Sequence, residues 1–143
     1  MTGWRVGYVA APPKFVSAML LVLQQSSRGP ATFVQDAAAV ALTGPQDCVV
    51  AMLAEYSRRR DLVLTSLPHV LAPEGGFFAM LDLRARGLPS DSIRRQLLTE
   101  FGIVVVHGAA YGPGGEGTLR VSFASGGEVL ERGLSKLRQA LGE

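Results

Sequence analysis

The chain has one cysteine, Cys48, two histidines, His69 and His107, and only two lysines, Lys14 and Lys136. A single cysteine excludes an internal disulfide, and together with two scattered histidines it offers no metal-ligand spacing, so no metal site is expected. A reducing, cytoplasmic setting is the expectation. Charge is also scarce: charged residues are 18% of 143, and 14 basic against 12 acidic residues leave a net charge of +2. That excess is too small for nucleic-acid binding. No apolar run approaches the roughly 18 residues of a membrane span, the longest being Phe15 to Leu23, and the first residues lack a basic stretch followed by a hydrophobic one. Neither a membrane anchor nor a signal peptide is expected. The glycines between Gly108 and Gly117 are followed by no Gly-Lys pair, which excludes a phosphate-loop fingerprint. There is no internal repeat and no low-complexity tract.

What remains is a globular composition, 48% hydrophobic with Gly 17 and Pro 8, at the size of one ordinary domain. Trp4, Val6 and Tyr8 alternate with their neighbours, predicting a strand from Trp4 to Val9 that Pro12 and Pro13 end. Phe15, Val16, Met19, Leu20 and Leu23 recur at helical spacing up to a break at Ser26-Ser27-Arg28-Gly29-Pro30. A second helix, Gln35 to Leu42, carries a small-residue face of alanines and stops at Thr43-Gly44-Pro45. A long third helix presents Val49, Leu53, Tyr56, Val63 and Leu67 and ends near Pro68. Its run Arg58-Arg59-Arg60 reads as a solvated face.

After Gly75-Gly76 comes a strand, Phe77 to Leu83, then a turn at Gly87-Leu88-Pro89-Ser90 into a helix striped by Ile93, Leu97 and Phe101, with Ser90 as N-cap. Ile103 to Val106 is a short β-branched strand and Leu119 to Phe123 a further one. The intervening Gly108–Gly117 segment reads as a flexible loop. Leu130, Leu134, Leu137 and Leu141 mark the closing helix. The order strand, helix, strand, strand, helix argues for an α+β layer with helices covering one face of a short antiparallel sheet. Residues 1–43 fit that layer poorly, and their apolar faces look built for a partner outside it.

Arg5 and Arg120 are each set inside an apolar strand. Each is either a solvent-facing arginine on a half-buried strand or a rigid, planar donor for a carboxylate or phosphate.

The motif Met1-Thr2-Gly3-Trp4-Arg5-Val6-Gly7-Tyr8 resembles the class I and II aminotransferases of fold type I. So, in order and spacing, do Gly29-Pro30-Ala31-Thr32 with Gln35 and Ala37-Ala38, then Tyr56-Ser57-Arg58-Arg59-Arg60-Asp61 and Pro73-Glu74-Gly75-Gly76-Phe77-Phe78. Gly117-Thr118-Leu119-Arg120-Val121-Ser122-Phe123 completes the set. The resemblance covers essentially the whole chain and implies the C-terminal portion of such an enzyme. Residues 1–43, one strand and two helices, would belong to the large cofactor domain, and residues 44–143 would form the C-terminal small domain.

The resemblance further implies that Arg5 contacts the phosphate of pyridoxal 5'-phosphate and that Arg120 grips the α-carboxylate of an amino acid or 2-oxo acid. Tyr8 and the loop from Ser26 to Thr32 would lie near the cofactor or an adjoining subunit of a homo-oligomer. The Schiff-base lysine has no counterpart here: Lys14 follows the arginine motif instead of preceding it, and Lys136 reads as a surface lysine on the last helix. The chain alone is therefore expected to have no catalytic residue, to hold no cofactor and to be inactive without the N-terminal half. The alternative is a non-catalytic module that binds carboxylates through Arg120 or assembles through the strand at residues 4–10. One departure is internal: His107 stands where the family usually has proline, and it reads as structural or solvent-exposed.

Overall fold

The computed structural model describes residues 1–142. The chain divides into two units, Met1–Cys48 and Val49–Glu143.

The first unit holds a short 3-10 turn, Thr2–Trp4, then α1 (Pro13–Ser26) and α2 (Thr32–Thr43). Pro13 opens α1, where a missing N–H costs nothing and a fixed φ suits the first turn. Arg28 and Gly29 take left-handed φ values of 58° and 78° after α1, and the Gln35 side chain donates to Pro30 O at 2.9 Å, fixing the entry to α2. The predicted strand at Trp4–Val9 does not form. Arg5 takes a φ of 52°, which interrupts an extended run, and no strand of this unit is available to pair with it. Alternation of apolar residues specifies faces; it supplies no neighbour.

Both helices of this unit are apolar with little to cover them. α1 buries none of its residues, and Phe15, Val16, Met19, Leu20 and Leu23 are all exposed. Val34 is the one buried residue of the unit among those described.

The second unit begins within α3 (Asp47–Ser66) and continues with β1 (Val70–Leu71), β2 (Phe78–Asp82), α4 (Ser90–Phe101), β3 (Val106–His107), β4 (Thr118–Ser122) and α5 (Gly127–Leu141). The strands form one antiparallel sheet in the order β1-β2-β4-β3. Side chains alternate across a strand, so Ala79 and Leu81 of β2 and Leu119 and Val121 of β4 point to one face. There they join Val63 of α3 and Leu67 just after it, Ile93 and Leu97 of α4, and the α5 stripe of Leu130, Leu134, Leu137 and Leu141 in a single core. The α5 periodicity is borne out residue for residue. In α3 it holds only for the C-terminal half, since Val49 and Leu53 are exposed.

Three further expectations need correction. β3 is confined to two residues, with Ile103–Val105 outside the ladder. The Gly108–Gly117 segment folds into two 3-10 turns, Gly108–Tyr111 and Pro113–Gly115. Gly108 and Gly115 approach so closely that a Cβ on either would fall on the other's carbonyl oxygen, and Thr118 Oγ1 donates to Gly115 O at 2.7 Å. Arg59 is no solvated residue: its side chain is 17% exposed, donates to Glu55 at 2.7 Å and to Ala124 O at 2.5 Å, and so ties α3 to the β4–α5 connection. Arg58 and Arg60 do remain at the surface, paired with Glu55 and Asp61.

Candidate functional site

β4 lies between β2 and β3, so its backbone is held on both sides, and Arg120 at its centre is paired with Met80 on one side and Val106 on the other. Since Leu119 and Val121 enter the core, the pleat sends Arg120 to the opposite face. Phe78, two positions along β2 from Met80, shares that face. The Arg120 guanidinium carbon lies 4.0 Å from the Phe78 ring centroid and 4.9 Å from that of Tyr111, the last residue of the first 3-10 turn. A planar cation is thus set against two rings.

Among the described residues the guanidinium is also unpaired. Arg120 Nε is buried with no hydrogen-bond partner, and no carboxylate among the described residues pairs with Arg120. The contrast with Arg58, Arg59, Arg60, Arg84, Arg94 and Arg95 is direct, because each of those sits on an Asp or Glu. A buried N–H left without an acceptor costs about 1–3 kcal/mol. This arrangement can take up a planar anion and orient it.

Arg5 lies in the other unit, exposed and in left-handed backbone, with no ion pair or hydrogen bond of its side chain to another described residue. Lys14 is exposed, with its ammonium 5.8 Å from the Phe15 ring centroid. Lys136 is exposed on α5 and donates to Phe101 O at 3.1 Å, capping the end of α4. His107 is paired with Leu119 in the ladder, out of register with Arg120, and its Nδ1 is buried without a partner. No group of three or more His, Cys, Asp or Glu residues that could hold a metal occurs among the described residues. No single helix among them is long and apolar enough to cross a membrane.

Sequence reasoning missed the supports of this site. Glu116 Oε1 accepts the Ser90 N–H at 2.7 Å and the Gly117 N–H at 3.0 Å. These two bonds, the Ser90 contact first, lower the Glu116 carboxyl below its ordinary 4.5. The expected Ser90 side-chain cap is absent: Pro89 occupies the N-cap, Ser90 begins the helix, and the cap comes from a carboxylate 26 residues away. The aromatic flank of Arg120 was equally hidden, because Phe78 and Tyr111 reach it from different elements.

The family model for aminotransferase class I and II matches residues 1–137. The chain is 36% identical to an aromatic-amino-acid aminotransferase of Thermococcus litoralis and 36% identical to an aspartate aminotransferase of Pyrococcus abyssi; each alignment covers 100% of this chain and 38% of the relative. The crystal structure of the aromatic aminotransferase of Pyrococcus horikoshii superposes with a TM-score of 0.88 at 36% identity, over 99% of this chain and 40% of that one. The chain therefore spans about two fifths of the length of these relatives. A match from the first residue to within α5, with five ordered motifs and the same fold, leaves one assignment: this chain belongs to the class I and II aminotransferases.

Proposed function

We propose that these residues act as the C-terminal part of a pyridoxal-phosphate-dependent amino-acid aminotransferase, moving an amino group between an amino acid and a 2-oxo acid. The unit around β4 serves as the small domain, and residues 1–43 belong to the large cofactor domain. One observation carries the reading: Arg120 presents a half-buried, unpaired guanidinium between Phe78 and Tyr111. A bidentate arginine on a rigid strand fixes the α-carboxylate and so places the substrate's amine or carbonyl carbon. Arg5, free of any carboxylate partner among the described residues, takes the cofactor phosphate.

The fit to pyridoxal phosphate is one-ended. The Arg5 guanidinium suits the phosphate, whereas neither lysine suits the aldehyde: Lys14 comes after the arginine motif, and Lys136 already serves the α4 terminus. When bound, the cofactor supplies the electron sink for chemistry at the substrate's α-carbon. The lysine that holds it lies outside these 143 residues, so the chain alone neither retains cofactor nor transaminates. The apolar face of α1 is covered by the rest of the enzyme, which assembles as a homo-oligomer. Two relatives of equal identity carry different substrate names, aromatic amino acid and aspartate. The substrate's side chain is accordingly read by residues beyond those shared here.

The test is reconstitution. With the large cofactor domain supplied in trans, cofactor absorbance and amino-group transfer are expected to appear together. Arg120→Ala in that complex should raise the amino-acid KM strongly while leaving cofactor retention intact. Equal loss of both removes the carboxylate role.

A second reading, a non-catalytic carboxylate-binding module, rests on the same Arg120 observation. It predicts carboxylate binding without any gain of activity on reconstitution. Assembly through residues 4–10 is the other form of this second reading: the segment makes no strand within its own unit and would pair only with a partner.

A further inference from the structure

The sequence motifs include Phe78 but bring neither it nor Tyr111 to Arg120. Phe78 belongs to β2, while Tyr111 ends a 3-10 turn whose shape is set by the Gly108–Gly115 approach and by the Thr118–Gly115 hydrogen bond. Phe78 is half-buried and cannot leave the face of the sheet. Tyr111 is 58% exposed, yet its ring lies against the guanidinium. A long arginine side chain on an open sheet face would otherwise sample several rotamers, and holding one of them costs side-chain entropy.

We propose that Phe78 and Tyr111 are positioning residues that clamp the Arg120 guanidinium, fixing its plane and sheltering Nε so that its donors are ready for a carboxylate before one arrives. The proposal rests on the reading of Arg120 as the carboxylate site. Both rings act through Arg120 and by their faces. The Tyr111 hydroxyl contributes nothing to the clamp, so phenylalanine replaces tyrosine there without loss.

Nuclear magnetic resonance of the arginine Nε–Hε groups in the 143-residue chain tests this, with sodium acetate as the probe. Ligand-free, the Arg120 Hε signal is expected to be displaced by the ring currents of its two neighbours. It should stay so in Tyr111→Phe and move toward the free-arginine position in Tyr111→Leu and Phe78→Leu. On titration the same signal should respond to acetate, with Tyr111→Phe within about twofold of the parent and each leucine variant weaker by about 2- to 5-fold, the size of one exposed cation–ring contact. Tyr111 is a surface residue, so its variants test the clamp even where Phe78→Leu perturbs folding. An undisplaced Hε signal, or leucine variants that bind acetate as tightly as the parent, overturns the clamp and leaves the carboxylate site standing. A displaced signal that acetate does not move overturns the carboxylate reading, and the purpose of the clamp with it.

Discussion

The Ser90 N–H donates to Glu116 Oε1 at 2.7 Å, so the first turn of α4 is capped by a carboxylate from the segment leading into β4. The same oxygen accepts the Gly117 N–H, one residue before the strand that carries Arg120. One side chain thereby links a helix start to the approach of the candidate site.

That link is acid-sensitive. The Glu116 carboxyl is lowered by the Ser90 N–H first and the Gly117 N–H second. A carboxyl whose folded value lies below its unfolded value adds stability that is fully present above the unfolded value, here 4.5, and is lost as pH falls through the folded one. Denaturant titrations of parent and Glu116→Gln chains should therefore differ most at neutral pH and converge as pH drops below that range. A gap that widens in acid would contradict the assignment.

Two surface carboxylates add to the same acid limb. Arg84 holds Asp82, and Arg58 with Arg59 holds Glu55, each at about 2. Their contribution is lost between the ordinary carboxylate range and about pH 2. Because Arg84 and Arg58 are solvent-exposed, salt should shrink their share of it, which the same titrations repeated in high salt would reveal.

Arg59 is the tie between α3 and the start of α5. Arg59→Ala gives up charged hydrogen bonds to Glu55 and Ala124 O, and a loss of about 1–3 kcal/mol in chemical denaturation is expected. Gly126→Ala approaches the same contact from the other side, since its Cβ would lie 2.6 Å from the guanidinium carbon. It should destabilise as well, and the double variant should lose less than the sum of the two.

Leu119 is fully buried beside Arg120 in β4. Leu119→Ala opens a cavity in the core and should cost about 2–5 kcal/mol. Arg120→Ala, on the other face, should change stability by less than about 1 kcal/mol or raise it, because it removes an unpaired buried donor. Thermal melts of the two variants check the sidedness of the strand.

The chain's own pattern made much of this fold legible. Leu130, Leu134, Leu137 and Leu141 announce α5 because a helix with one buried side must repeat in that way, and the Phe77–Leu83 and Leu119–Phe123 runs announce the two central strands. β1 escaped notice because two residues, Val70 and Leu71, carry no period. Trp4–Val9 misled because alternation says nothing about a pairing strand, and Arg59 because three adjacent arginines look alike until the fold turns one of them toward Ala124. Arg120 itself stood out as a charge within an apolar strand. Its two rings and the Glu116 cap did not, since each joins residues far apart in sequence.

We infer that these residues carry the anion-binding arginines of a pyridoxal-phosphate enzyme without the lysine that holds its cofactor. The most direct measurement is an absorbance scan of the chain mixed with pyridoxal phosphate, before and after borohydride reduction, followed by intact mass. No specific adduct is the predicted result, with both Lys14 and Lys136 unmodified. A stoichiometric reduced adduct at either lysine would mean that it has taken over the cofactor-holding role, and it would contradict the account.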